Sequence, residues 1–267
     1  VGSTLGLTVA QLSYARLVLS HWGIVVEDIP TSDREKKKEA DFFANFGDVR
    51  VLIEEKTKED DPEYLSIRAQ KLAQGEVVGE SIPIVRSETL SGIIRDAAKQ
   101  LRSSSDKPHD FRLVWFTATG VHARAKYEQF MATLYGRTNI LEMNADGYRR
   151  CYYFRQSDFF RRAASIDGAV VAYTDGTSLE AQLCLNSLSP RYAELRQSAV
   201  MIPFGAAVED PMELEADGTA FVLDSDLNRN DEGPLLAYLQ TKYRTRPLMK
   251  FDLGYMGASV LASLDEP

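Results

Sequence analysis

Residues 49–57 read Val49-Arg50-Val51-Leu52-Ile53-Glu54-Glu55-Lys56-Thr57, a β-branched apolar run that ends in two acids and a lysine. Such a run favours an extended strand. Alternation along the strand places Glu54 and Lys56 on one face and Glu55 on the other, so a carboxylate and an ammonium share one site. That pairing suits hydrolysis of a phosphodiester, which needs an activated water, neutralised phosphate charge and a stabilised leaving oxygen. A hard cation held by oxygens, Mg²⁺ or Mn²⁺, supplies charge and acidifies water. A neighbouring Lys orients the nucleophile or stabilises the developing charge. One carboxylate seldom holds such an ion alone. Asp41, in Ala40-Asp41-Phe42-Phe43, is the second candidate, because a hairpin of 40–46 with 49–56 turning at Gly47-Asp48 sets it beside Glu54.

Outward from this hairpin, Leu12, Ala15 and Leu19 predict a helix over 7–22 stopped by Gly23, and 24–29 is a short strand ending at Pro30. Glu59-Asp60-Asp61-Pro62 opens a helix that runs to about Gly75. Ser87-Glu88-Thr89 opens another, with Leu90, Ile93, Ile94, Ala97, Ala98 and Leu101 on one face. Phe111–Thr117 is a buried strand. Residues 122–135 read as a helix, 138–143 as a strand, 150–154 as a strand, 157–164 as a helix and 168–173 as a strand. Beyond Asp175 the periodicity fades; 209–217 and 224–232 read as acidic surface loops, and 234–243 as a last helix. Alternating helices and strands predict an α/β fold with a mixed sheet.

The order helix, three-stranded meander, helix, strand, with Asp41 on the second strand and Glu54-x-Lys56 ending the third, resembles the core of the PD-(D/E)XK, or restriction-endonuclease-like, nuclease superfamily. The resemblance spans roughly residues 7–118. It implies a core over 1–145, with residues 146–267 as a C-terminal α/β extension that continues the sheet. It also implies Mg²⁺ or Mn²⁺ bound by Asp41, Glu54 and the backbone carbonyl of Glu55, with Lys56 positioning water. Ala97-Ala98-Lys99-Gln100-Leu101 is similar to the family's helix that carries a Gln facing the site, which gives Gln100 an orienting role. The sequence departs from the pattern in three ways. Ala40 stands where the family has Pro, no Tyr follows Gln100 as in RecB-like members, and the first helix lacks an acid, leaving Glu27 as the nearest third ligand. Residues 59–86 are then an insertion bordering the substrate channel. The function implied is cleavage of DNA. The alternatives are a non-catalytic nucleic-acid-binding or assembly module of the same fold, and a ribonuclease.

Composition bounds this reading. The 267 residues are 44% apolar and 26% charged, an ordinary globular balance. The net charge of −8 argues against a protein that coats nucleic acid by charge alone. Nearly all of that excess lies beyond residue 140, however, which leaves room for a basic track near the site. Lys36, Lys37 and Lys38, just before Asp41, and Lys99 on the Gln100 helix are candidate phosphate contacts, as are Arg95, Arg102, Arg161 and Arg162. The sequence lacks a run of about 18 apolar residues and a leader pattern, and Cys151 and Cys184 have no metal spacing, so a cytoplasmic setting is expected. His21, His109 and His122 are likewise not spaced as ligands, and no GxSxG, GK(S/T) or GxGxxG occurs. The C-terminal part is expected to supply substrate selection, a homo-oligomer surface or a protein partner site.

Overall fold

The structure is a computed structural model, and it describes residues 13–29, 39–251 and 259–261. Ser13 caps helix α1 (Tyr14–His21) by accepting the Arg16 N–H, and α1 buries Ala15 and Leu19. Strand β1 (Val25–Asp28) leads to the hairpin of β2 (Phe42–Phe46) and β3 (Val49–Lys58), in which Phe46 faces Val49 across Gly47-Asp48. The insertion follows as α2 (Pro62–Ala73), capped by Asp61, and β4 (Val78–Glu80). Helix α3 (Glu88–Ser103) is capped by Ser87 and buries the expected stripe of Leu90, Ile94, Ala97, Ala98 and Leu101. Strand β5 (Phe111–Ala118), α4 (Ala123–Tyr135), β6 (Thr138–Glu142), β7 (Tyr148–Tyr152), α5 (Asp158–Arg161), β8 (Gly168–Thr174) and β9 (Leu179–Leu185) come next. The chain then forms α6 (Tyr192–Arg196), a 3₁₀ turn (Ala199–Phe204), β10 (Val208–Glu209), α7 (Pro211–Ala216), β11 (Ala220–Val222), α8 (Glu232–Tyr243), β12 (Leu248–Lys250) and β13 (Ser259–Leu261).

Seven strands form one mixed sheet in the order β1-β2-β3-β5-β8-β9-β10, so it draws strands from both sides of residue 145. Its centre, β3-β5-β8, is parallel and apolar on both faces, which fits strands covered by helices above and below. On one face Leu52, Val114, Phe116 and Val171 pack against Ile94, Leu101, Phe130 and Phe159 of α3, α4 and α5. On the other, Val51, Ile53, Leu113 and Trp115 meet Ala15 and Leu19 of α1 and Leu195, Val200 and Phe204. A four-stranded sheet, β11-β7-β6-β12, has its own core with Leu235 and Leu239 of α8. Glu209 clamps the two sheets together. Its carboxylate takes Arg150 at 3.1 Å, Gln182 at 3.0 Å and the Tyr152 hydroxyl, and its carbonyl accepts the Tyr135 hydroxyl at 3.0 Å. Among the described residues no helix is long and apolar enough to cross a membrane.

Several expectations are corrected. The strand expected at 150–154 lies at 148–152, because Tyr153 adopts a positive φ of 61° and leaves the ladder. The helix expected over 157–164 is one turn, closed by the Arg162 N–H bonding back to the Phe159 carbonyl. Residues 209–217 are not a surface loop. Glu209 and Asp210 are buried among cations and hydroxyls, and Asp210 caps α7. Strands β4 and β9 to β13 went unanticipated.

Gly136 ends α4 at φ 58°, and an added Cβ would stand 2.4 Å from the Arg155 carbonyl oxygen, a backbone atom. Gly147 also has a positive φ, 77°, but with nothing within 4 Å. Gly147→Ala is expected to cost roughly 1 kcal/mol from the backbone conformation alone. Gly136→Ala should cost at least about 2 kcal/mol more in urea unfolding, and equal losses would show that the close approach does not matter.

Candidate active site

The β2–β3 register builds the site. Phe42 pairs with Ile53 and Phe43 with Leu52, so Asp41, one residue before β2, stands opposite Glu54 on the α3 face. The Asp41 N–H donates to the Ile53 carbonyl at 3.1 Å, continuing the ladder, and the Glu55 N–H donates to Asp41 Oδ2 at 2.7 Å. The Ile53 carbonyl and the Glu55 N–H thus both point toward Asp41. The Glu55 carbonyl, on the same edge as its own N–H, points there too. Ala40, just upstream, is fixed by donating to the buried hydroxyl of Ser104 at 2.9 Å.

Glu54 is fully buried, although it lies where β3 leaves the core. Lys56 Nζ donates to Glu54 Oε1 and, at 3.1 Å, to Gln100 Oε1. Gln100 Nε2 in turn donates to the Glu39 carbonyl at 3.1 Å. No protein donor reaches Glu54 Oε2, and the Asp41 side chain lies against the carboxyl. Burial pushes the Glu54 carboxyl up from 4.5 to about 8; the charge of Asp41 adds to the rise and Lys56 opposes it.

The structure therefore brings Asp41, Glu54, Lys56 and Gln100 together. Glu55 turns its side chain to the opposite face, where Oε1 accepts the Ala15 N–H at 2.9 Å and Oε2 the Ser13 hydroxyl. It anchors the N-terminus of α1, a role that alternation placed on the other face without naming. Glu27 is not a site residue: it is spent on Arg50 at 2.8 Å and on Asn45, toward the turn end of the hairpin. Lys99 faces outward and pairs with Asp96 at 3.2 Å. Lys36, Lys37 and Lys38 lie outside the described residues. Sequence reasoning missed Glu39 and Ser104, which hold Gln100 and Ala40. No signal marked them, since one acts through its carbonyl and the other is a serine past a helix end. It also missed the docking of the insertion. Asp60 accepts the Val121 N–H at 2.7 Å and pairs with Lys126, and Glu80 pairs with His122 and, at 3.8 Å, with Arg68. These contacts tie residues 59–86 to the start of α4.

Two outcomes follow. A carboxyl raised from 4.5 to about 8 holds its proton more tightly in the folded chain. Its contribution is whole below about pH 4.5 and is lost as pH rises through about 8. In EDTA, unfolding free energy should fall by roughly 3–5 kcal/mol over that window through this group, and Glu54→Gln should remove most of that slope. Parallel pH–stability curves for the two proteins would exclude Glu54 as the source. Glu55→Ala should cost about 1 kcal/mol in urea unfolding through loss of the α1 cap, and an unchanged midpoint would remove that cap from the stability of the fold. Comparison with family models, with curated proteins and with solved structures finds no match for this chain.

Proposed function

We propose that the chain is a divalent-cation-dependent nuclease that hydrolyses DNA phosphodiester bonds, with a PD-(D/E)XK-like arrangement of Asp41, Glu54 and Lys56. The observation that carries this reading is a pair of adjacent carboxyl groups, Asp41 beside the fully buried Glu54, whose Oε2 meets no protein donor. Buried acceptors are almost always satisfied, so an orphan at a charge cluster marks a place for a cation. The donor set fits a hard ion. Asp41 and Glu54 would hold it, and the Glu55 carbonyl points to the same edge. Among the described residues no group of three or more His, Cys, Asp or Glu gathers as a metal site. Two carboxylates with the remaining positions left to water and phosphate are the usual provision for Mg²⁺. When bound, such an ion supplies positive charge to the phosphate and makes a water more acidic.

The chain's own groups have separable tasks. Lys56 has three N–H donors; Glu54 and Gln100 take two, and the third is left for a phosphate oxygen or the attacking water. Gln100 is bonded at both ends of its amide and acts as a positioning residue for Lys56. Burial and the neighbouring Asp41 favour the protonated form of Glu54, which avoids two adjacent negative charges, and a bound cation would favour its ionised form. The sheet order is compatible with the same reading, since Glu54 and Lys56 lie in the carboxyl-terminal half of β3, toward the end of the parallel strands at which open α/β sheets bind ligands.

The decisive measurement is cleavage of linear, circular and single-stranded DNA with Mg²⁺, Mn²⁺ or EDTA. Wild type should cut with either ion and not in EDTA. Lys56→Ala and Asp41→Asn should each lose at least about 100-fold in rate. Asp41→Asn should also lose the Mg²⁺-dependent rise in melting temperature, about 1.4 kcal/mol at tenfold the dissociation constant. Normal cutting by Lys56→Ala would overturn the proposed chemistry, and an equal Mg²⁺ shift in both proteins would move the ion away from Asp41.

A further inference from the structure

The outer surface of α3 and α5 carries cations that the proposed chemistry does not use. Arg95, Lys99 and Arg102 on α3 and Arg161 on α5 are exposed, and Arg162 lies half-buried beside them. Arg102 reaches the Ser165 hydroxyl at 3.4 Å. Arg162 and Arg86 flank Asp158 at 3.3 and 3.8 Å. Asp158 is fully buried and ion-paired with both guanidiniums. Burial lowers the Arg162 guanidinium below its ordinary pKa, Asp158 opposes this, and the charges of Arg102 and Arg95 lower it further. The carboxylates among them are Glu88, paired with Arg86, Asp96, paired with Arg95 and Lys99, and Asp158. Six cations thus face three acids on a chain whose net charge is −8. A ridge that concentrates like charge on an otherwise acidic protein is complementary to a polyanion.

The position of the ridge narrows the polyanion. At 3.6 residues per turn, Arg95 and Arg102 lie about 150° round α3 from Gln100. The catalytic cluster and the ridge therefore flank opposite sides of one helix. That helix is about 10–12 Å wide with its side chains, comparable to the roughly 12 Å major groove of B-DNA. A single strand laid along one flank reaches only one of the two sets.

We propose that the α3–α5 ridge is a phosphate-backbone track for duplex DNA, holding the strand across the groove from the one presented to Lys56. The inference rests on the nuclease reading for its choice of substrate. Its test is binding, measured by fluorescence anisotropy of a labelled DNA duplex on the full chain in EDTA across a salt series. The variants are Arg95→Gln/Arg102→Gln, which leaves Arg162 in place to balance Asp158, and Arg244→Gln, beyond α8, as a charge control. Each lost phosphate contact reduces the slope of log affinity against log salt by about 0.9. The double variant should lose about two units of slope and at least about tenfold in affinity at low salt, with the control unchanged. An unchanged slope in the double variant, or no duplex binding by wild type at low salt, would overturn the track. An equal loss on single-stranded DNA would overturn its assignment to a duplex. Failure of the two readings is separable. Ridge-dependent binding without cleavage in Mg²⁺ removes only the nuclease chemistry, whereas cleavage with the same KM in wild type and double variant removes only the ridge.

Discussion

A carboxyl group with no exposed surface sits midway along the strand on which both large cores are built, at the last of that strand's buried positions. Burying an ionised carboxylate without compensation costs several kcal/mol, so the surroundings of Glu54 have to neutralise it, pair it or hold it protonated. Lys56 pairs with one oxygen, burial and Asp41 favour the protonated form, and no protein donor reaches the second oxygen. A fold selected for stability alone would place an apolar residue here, as it does at Leu52 two positions earlier on the same face. The polar exception is concentrated at one point, and the hydrogen bonds that fix Ala40, Asp41, Lys56 and Gln100 converge on it.

Strand alternation then divides the labour of adjacent residues. Glu54 and Lys56 address α3 through Gln100, and Glu55 addresses α1 through Ser13 and the Ala15 N–H. Both helical layers are consequently referenced to the same three residues of β3. The ends of the arrangement are fixed by backbone groups as much as by side chains, with the Glu39 carbonyl holding Gln100 and the Glu55 N–H holding Asp41. A displacement of either helix would be felt directly at the cluster, because the intervening links are single hydrogen bonds rather than long packed paths.

The legible part of this molecule was the part governed by short-range periodicity. The β2–β3 hairpin, its Gly47-Asp48 turn and the faces of Glu54, Glu55 and Lys56 follow from a period of two, and the buried stripe of α3 from a period of 3.6. What stayed illegible depends on long-range partners. The segment 179–185 mixes Glu180 and Gln182 into an apolar strand because Gln182 meets Glu209, and Glu209 itself reads as a surface acid until Arg137, Arg150 and Tyr152 surround it. The two-residue shift in the bounds of β7 has a local cause, the left-handed backbone of Tyr153, which a bulky aromatic gives no reason to expect. At the site, the cluster was readable from side-chain types, whereas Glu39 and Ser104 were not, since a carbonyl has no sequence identity.

The join between β5 and β8 has a consequence for how the chain is made. β8 is encoded well after residue 145, yet it bonds β5 from Leu113 to Ala118, a segment containing Leu113, Val114, Trp115 and Phe116. While the chain emerges from a ribosome, the helices and strands of the first half are complete before β8 exists, and β5 presents an apolar edge with open N–H and C=O groups. Such an edge recruits whatever strand is nearest, including that of a neighbouring nascent copy. Until β8 arrives, that edge is open to intermolecular pairing, and a fragment ending near residue 145 would carry it permanently.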